Sequence, residues 1–192
     1  MNIFVTSDSP YQSAIVLDTK RVQKMYVESM QMMATALHLT DNHQYLPIRV
    51  TERTPYLPCH QKHPCTLWVV ESKYNYFWLW GHANALYSEL LARIGPPSTN
   101  DVHIRNLLKT KEGGYHINDV KARTPFKNCS LYKEMDLIEA YQKTMVKKWC
   151  WTDKRMPRWH GHDKPEWIHK WFCELKKEEK EDPIWSPVMF TS

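Results

Sequence analysis

Residues 18–37 read DTKRVQKMYVESMQMMATAL, and the period of this stretch decides the fold. Val22, Met25, Tyr26, Ser29, Met32, Met33 and Ala36 recur every three or four residues, so they share one side of a helix. Asp18, Arg21, Lys24, Glu28, Gln31 and Thr35 recur the same way on another side. That second stripe is polar along its length. Lys24 stands one turn before Glu28, and Arg21 two turns before it. One reading is a solvated face with an i, i+4 ion pair worth about 0.2–0.5 kcal/mol. The other is a carboxylate held in a positive groove where a polyanion lies.

Working outward, residues 1–6 alternate as a short strand, with Ile3 and Val5 on one face. Ser9, Pro10 and Gln12 form a helix start by capping box and N1 proline. Residues 44–64 hold four prolines and no period, and read as an irregular loop. A helix over 72–94 ends at Gly95-Pro96-Pro97. Asp101 caps a short helix to about Lys109, Gly113-Gly114 is a turn, and 115–129 is irregular. Ser130 caps a helix to about Trp149. Residues 151–164 are a loop, and Pro165 opens a last helix. The expected fold is mainly α: a single compact domain of about five helices with a short N-terminal strand and long irregular loops. Its core is 1–164, followed by a C-terminal helix and tail at 165–192.

The chain has 192 residues, a length that suits one domain. Five Gly make Gly-rich phosphate loops a poor expectation, and no Walker, HExxH, Gly-x-Ser-x-Gly or dinucleotide fingerprint is present. No apolar run is long enough for a bilayer, and the start is not a secretory signal. Five Cys without framework spacing read as reduced thiols. The expected location is therefore cytoplasmic. The net charge of +5 is unevenly spread: residues 147–170 hold seven Lys/Arg, three Asp/Glu and three His among four Trp. Interleaved cations and aromatics suit nucleic acid, and equally a Trp-rich core with solvated cations.

Two further constellations stand out. An α-amine has an ordinary pKa of about 7.7–8.0, so part of it is free base at neutral pH. It can form a Schiff base with a sugar carbon, and Glu28 could move the protons. Nothing in the local spacing brings Met1 to Glu28. The other constellation is Cys59-His60-Gln61-Lys62-His63-Pro64-Cys65, four potential zinc ligands in seven residues, with His82 as a possible fifth. Its spacing fits no common zinc pattern, and the expectation is no metal and no cofactor.

The segment 18–28, the run His63-Pro64-Cys65-Thr66-Leu67-Trp68, the helix ending Arg93-Ile94-Gly95, and Pro165-Glu166-Trp167 together resemble phage-encoded pyrimidine-dimer DNA glycosylases. The resemblance implies a small helical DNA-repair enzyme whose nucleophile is the α-amine at the chain start and whose key acid is a Glu on the first long helix, here Glu28. The amine would belong to Met1, or to Asn2 after trimming. The activity implied is an N-glycosylase with an associated β-lyase, acting on a damaged or modified pyrimidine. Its partner would be double-stranded DNA with a flipped base, bound by a monomer. Arg21, Lys24, Gln31, His63, Arg155, Arg158 and Trp159 are the expected DNA contacts. A non-catalytic nucleic-acid or host-factor binding protein is the alternative; a zinc-dependent nuclease on Cys59, His60, His63 and Cys65 is a third.

Overall fold

The computed structural model describes residues 2–120 and 122–190. Seven α-helices are found among them: α1 (Pro10–Ile15), α2 (Thr19–Leu39), α3 (Pro64–Glu71), α4 (Lys73–Ile94), α5 (Asn100–Gly114), α6 (Leu137–Lys147) and α7 (Ile168–Glu178). Asp18 caps α2 by accepting the Arg21 backbone N–H through its side chain, and Ser72 caps α4 at Tyr74. Gly95 ends α4 at φ 79°, a conformation that glycine adopts without the Cβ penalty.

Helix α2 packs against α4, α3 and part of α5, and α1 lies on α4. The stripe from Val22 to Ala36 is buried, and toward its end α2 is buried on nearly all sides, from Met32 through Leu37. Helices α6 and α7 pair with each other. They join the rest through aromatics. Trp149 donates to the Asp18 carboxylate at 2.8 Å, Trp159 donates to the Val16 carbonyl at 3.0 Å, and Phe4 meets Tyr141 edge-on at 6.2 Å. One hydrophobic cluster runs from Ile3 to Phe190.

A buried ion pair fastens α4 to the α1–α2 junction. Arg93 donates to Glu89 at 2.8 and 3.0 Å and to the carbonyls of Leu17 and Ile15 at 2.7 and 2.8 Å. Those carbonyls follow or end α1, where the helix cannot satisfy them itself.

Several boundaries differ from the sequence reading: α5 starts at Asn100 after Thr99, with Asp101 in its first turn rather than as its cap, and α7 starts at Ile168 rather than at Pro165. Residues 2–6 are not a strand: they are irregular, and among the described residues there is only an isolated bridge, Ile48 with Pro55. Their donors go to side chains instead. Asn2 N–H goes to Glu28, and the N–H groups of Ile3 and Phe4 both go to Asn2 Oδ1, at 2.7 and 3.1 Å. Phe4 sits at φ 53°, a costly conformation for a bulky residue. Gly113 and Gly114 lie inside α5 rather than in a turn. A Cβ on Gly113 would come within 2.6 Å of Leu37 and 2.8 Å of Tyr45; one on Gly114 would come within 2.8 Å of Tyr76. These glycines serve close packing. The proline loop closes in the extra helix α3, with Pro64 at its first turn and His63 as its cap. Finally, α6 starts at Leu137 under an Asp136 cap, not at Ser130. Ser130 turns its hydroxyl to the Tyr132 carbonyl instead.

Candidate functional site

Glu28 lies midway along α2 with 15% of its side chain exposed. Its Oε2 accepts the backbone N–H of Asn2 at 3.0 Å, and Lys24 Nζ stands 3.7 Å from Oε1. The chain start is therefore brought onto the carboxylate across 26 residues of sequence. Asn2 is pinned from a second side, because its Nδ2 donates to the Cys129 carbonyl at 3.2 Å. Met1, the expected bearer of the nucleophilic amine, lies outside the described residues.

His63 closes the same corner. As cap of α3 it accepts the Cys65 N–H on Nδ1 at 3.2 Å. Burial and the neighbouring His60 hold it below the ordinary imidazole range, while Glu28 pulls the other way. Cys65 follows in α3, and its Sγ donates to Cys129 Sγ at 3.6 Å. That hydrogen bond draws the Cys129 thiol below its ordinary range, against the effect of its burial. It holds Cys65 well above the ordinary thiol range, with burial adding to the shift. Cys129 is oriented by its own N–H, which donates to the Tyr141 hydroxyl at 3.0 Å.

The cations are arranged along the start of α2. Residues 153–160 dock there: Thr19 N–H donates to the Arg158 carbonyl at 2.9 Å, and His160 Nδ1 contacts the Thr19 hydroxyl at 2.9 Å. Between this loop and α2 lies an open cleft of about 660 Å³, lined by Lys20, Gln23, Lys154, Arg155, Arg158 and His160 among others. A smaller concavity of about 160 Å³ shares Lys20 and Asp153 with it and continues past Lys24 and Lys148 to Phe4. A chain of positive side chains thus leads from the cleft toward the Glu28 corner. Such a track suits a phosphate backbone.

The expected DNA contacts separate into three groups. Arg155 and Arg158 are exposed and line the cleft, and Lys24 is exposed beside the smaller concavity. His63 and the half-buried Gln31 lie nearer the corner, Gln31 one turn after Glu28 on α2. Arg21 and Trp159 are engaged within the fold. Arg21 bonds Asp18 through Nη1 and Asp153 through Nη2, each at 2.7 Å, and so ties the loop to α2 with its charge already matched. Trp159 is fully buried, with Trp149 and Phe190 as its aromatic neighbours. A buried indole cannot stack on a base without leaving the core. Lys20 and Lys154 line the cleft without having been expected there; adjacency to Arg21 and Arg155 is the signal that could have found them.

The four-residue zinc set does not gather. Cys59 turns to Thr35, whose hydroxyl accepts its N–H at 3.1 Å, and His60 is exposed at φ 49°. His82 is buried elsewhere, against the Pro10 carbonyl. His63 and Cys65 do stay together, joined by Cys129. Among the described residues, no helix is long and apolar enough to cross a membrane.

Residues 1–100 match the family model described as pyrimidine dimer DNA glycosylase. The match spans more than half of the chain and contains Glu28, His63, Cys65 and the start of α2. The chain belongs to the pyrimidine dimer DNA glycosylase family. No curated protein and no solved structure matches it.

Proposed function

We propose that the protein removes a damaged or modified pyrimidine from duplex DNA and then cleaves the strand, through a Schiff base formed by the α-amine at the chain start. The observation that carries this reading is the 3.0 Å hydrogen bond from Asn2 N–H to Glu28 Oε2. It sets a carboxylate beside the first residues of the chain.

The target nucleotide turns out of the stack, because its C1′ is otherwise shielded. The amine nitrogen attacks C1′, the bond from C1′ to the base breaks, and the base leaves with a proton. The C1′–O4′ bond then breaks as the nitrogen lone pair forms an iminium at C1′, and O4′ takes up a proton from solvent. Glu28 stabilises the cationic sugar and then takes a proton from C2′; the electrons of that C–H bond form the alkene, and the 3′ phosphate leaves. This is general-base work for a positioned carboxylate. Lys20, Lys24, Lys154, Arg155 and Arg158 hold phosphates along the track, with Gln31 and His63 nearer the reacting nucleotide.

The iminium is reducible, so borohydride should freeze the protein onto duplex DNA carrying a pyrimidine dimer or a modified thymine. The adduct should map to the N-terminal peptide. A free α-amine confirmed by intact mass and terminal sequencing, together with no base release and no adduct across such a panel, would overturn the reading. A role in binding alone would then replace it.

A further inference from the structure

We propose that His63, Cys65 and Cys129 form a binding site for a thiophilic metal ion, Zn(II) by its ligand set, beside the Asn2–Glu28 contact. The ligand atoms of these three side chains lie within 4.8 Å of one another. They come from three places: the cap of α3, its first turn, and the irregular segment before α6. Their convergence is a property of the fold, because Cys129 is 64 residues from Cys65.

Distance separates this reading from a disulfide. The two sulfurs are 3.6 Å apart. A disulfide requires about 2.05 Å. Two thiolates sharing a tetrahedral zinc at about 2.3 Å each stand about 3.8 Å apart. The observed spacing is therefore close to that of a shared ion and far from that of a bond. The third ligand has the right state as well. His63 Nδ1 accepts the Cys65 N–H, so that nitrogen is unprotonated, as a ligating nitrogen must be. Binding exchanges this contact for a metal–nitrogen bond.

The surroundings hold the ligands in place. Cys65 is buried in a helix, and Cys129 is fixed through both of its backbone groups. Its N–H donates to the Tyr141 hydroxyl at 3.0 Å, and its carbonyl accepts from Asn2 Nδ2 at 3.2 Å. Orientation of ligands by such outer contacts is what metal sites require. Two thiolates and an imidazole favour zinc over magnesium or calcium, which take oxygen ligands. Three protein ligands leave the fourth position to water or another exchangeable group. An ion here would tie the Cys129 segment to α3 and thereby fix the carbonyl that holds Asn2. The inference concerns this cluster alone and does not depend on the glycosylase reading.

The test uses the full chain, reduced, with all five thiols counted after denaturation. The protein is stripped with a chelator and titrated with Co(II) and then with Zn(II). One Co(II) per chain should bind, giving thiolate-to-cobalt charge-transfer absorption and the visible bands of a tetrahedral site; Zn(II) should displace it. Zn(II) should also protect the half-buried Cys129, but not the exposed Cys173, from alkylation read by mass spectrometry. Cys129→Ser should abolish stoichiometric binding, and Cys59→Ser should leave it intact. The protection measurement uses the unaltered chain, so it decides the matter even where a variant folds poorly. Binding that survives Cys129→Ser in a folded protein, no stoichiometric binding by the fully reduced chain, or a Cys129 that zinc leaves unprotected would each overturn the proposal.

Discussion

Asn2 and Glu28 meet at 3.0 Å, backbone N–H to carboxylate oxygen, although 26 residues of sequence and the whole of α1 separate them. The carboxylate points at the beginning of the chain rather than into solvent. Lys24, 68% exposed, remains 3.7 Å away and loosely held. The i, i+4 pair that the helix period predicts is present, and a backbone hydrogen bond accompanies it on the same carboxylate.

This contact predicts the behaviour of Glu28→Gln. The amide keeps the size of the side chain and an oxygen to accept the Asn2 N–H, but it cannot take the C2′ proton. Loss of a positioned general base costs about 10²–10⁴-fold in rate. DNA binding should stay near wild type while strand cleavage on an abasic duplex falls by that factor. Gel-shift and single-turnover cleavage assays on the same preparation check it. Cleavage close to the wild-type rate would remove Glu28 from the reaction.

The cleft predicts a graded salt response. Lys154, Arg155 and Arg158 line it without a partner carboxylate at ion-pair distance among the described residues. Arg155→Ala and Arg158→Ala should each lower the slope of log K against log salt by about 0.9 on duplex DNA. Arg21→Ala should behave differently, since its two carboxylate contacts anchor the 153–160 loop. It should lower thermal stability first. An unchanged slope in the double variant Arg155→Ala/Arg158→Ala would place the DNA elsewhere.

How much of this was legible in the sequence differs from element to element. Helices α2 and α4 were, because Asp18 and Ser72 cap them locally and their apolar periods run nearly the whole length of each helix. The Glu28 corner was legible only through the family resemblance, since the period of α2 says nothing of where residue 2 goes. The strand expected at 1–6 rested on alternation, yet Ile3, Phe4 and Val5 are all buried, and no neighbouring strand among the described residues supplies partners. The Asn2 and Glu28 side chains take those donors instead, a tertiary fact. Gly113 and Gly114 looked like a turn because a glycine pair reads the same whether it bends the chain or admits Leu37 and Tyr76. Cys129 joins Cys65 only after α3 and the 122–130 segment have packed, so no local spacing could announce it.

His82 predicts a pH dependence of stability. It is buried with Nδ1 donating to the Pro10 carbonyl at 2.9 Å, and burial lowers its pKa from 6.5 to about 4. The unfolded chain therefore binds the extra proton first, below pH 6.5. The sign follows: this contribution to stability is full above pH 6.5, declines as pH falls toward 4, and is gone below 4. The span corresponds to about 3 kcal/mol. His82→Asn retains a donor near Nδ1 and does not titrate. Urea midpoints measured between about pH 4 and 7 should decline less steeply with acid in that variant. Parallel curves for the two proteins would exclude His82 as a source of acid sensitivity.

Arg93 predicts the largest single loss of stability. Its guanidinium is fully buried and makes hydrogen bonds to Glu89 and to the carbonyls of Leu17 and Ile15. Arg93→Met fills a similar volume but leaves a buried carboxylate and two carbonyls without this donor. Removing one partner of a buried pair costs about 3–5 kcal/mol. His162 Nδ1 also stands 3.6 Å from Glu89 Oε2. The double variant Glu89→Leu/Arg93→Met removes the stranded charge and should recover part of the loss. The carbonyls at the α1–α2 junction still lack their donor, so recovery should be incomplete. Urea denaturation of the wild type and both variants separates these contributions. A cost below about 1 kcal/mol for Arg93→Met, far under that of a broken buried pair, would mean that solvent reaches the junction and that the ion pair does not hold it.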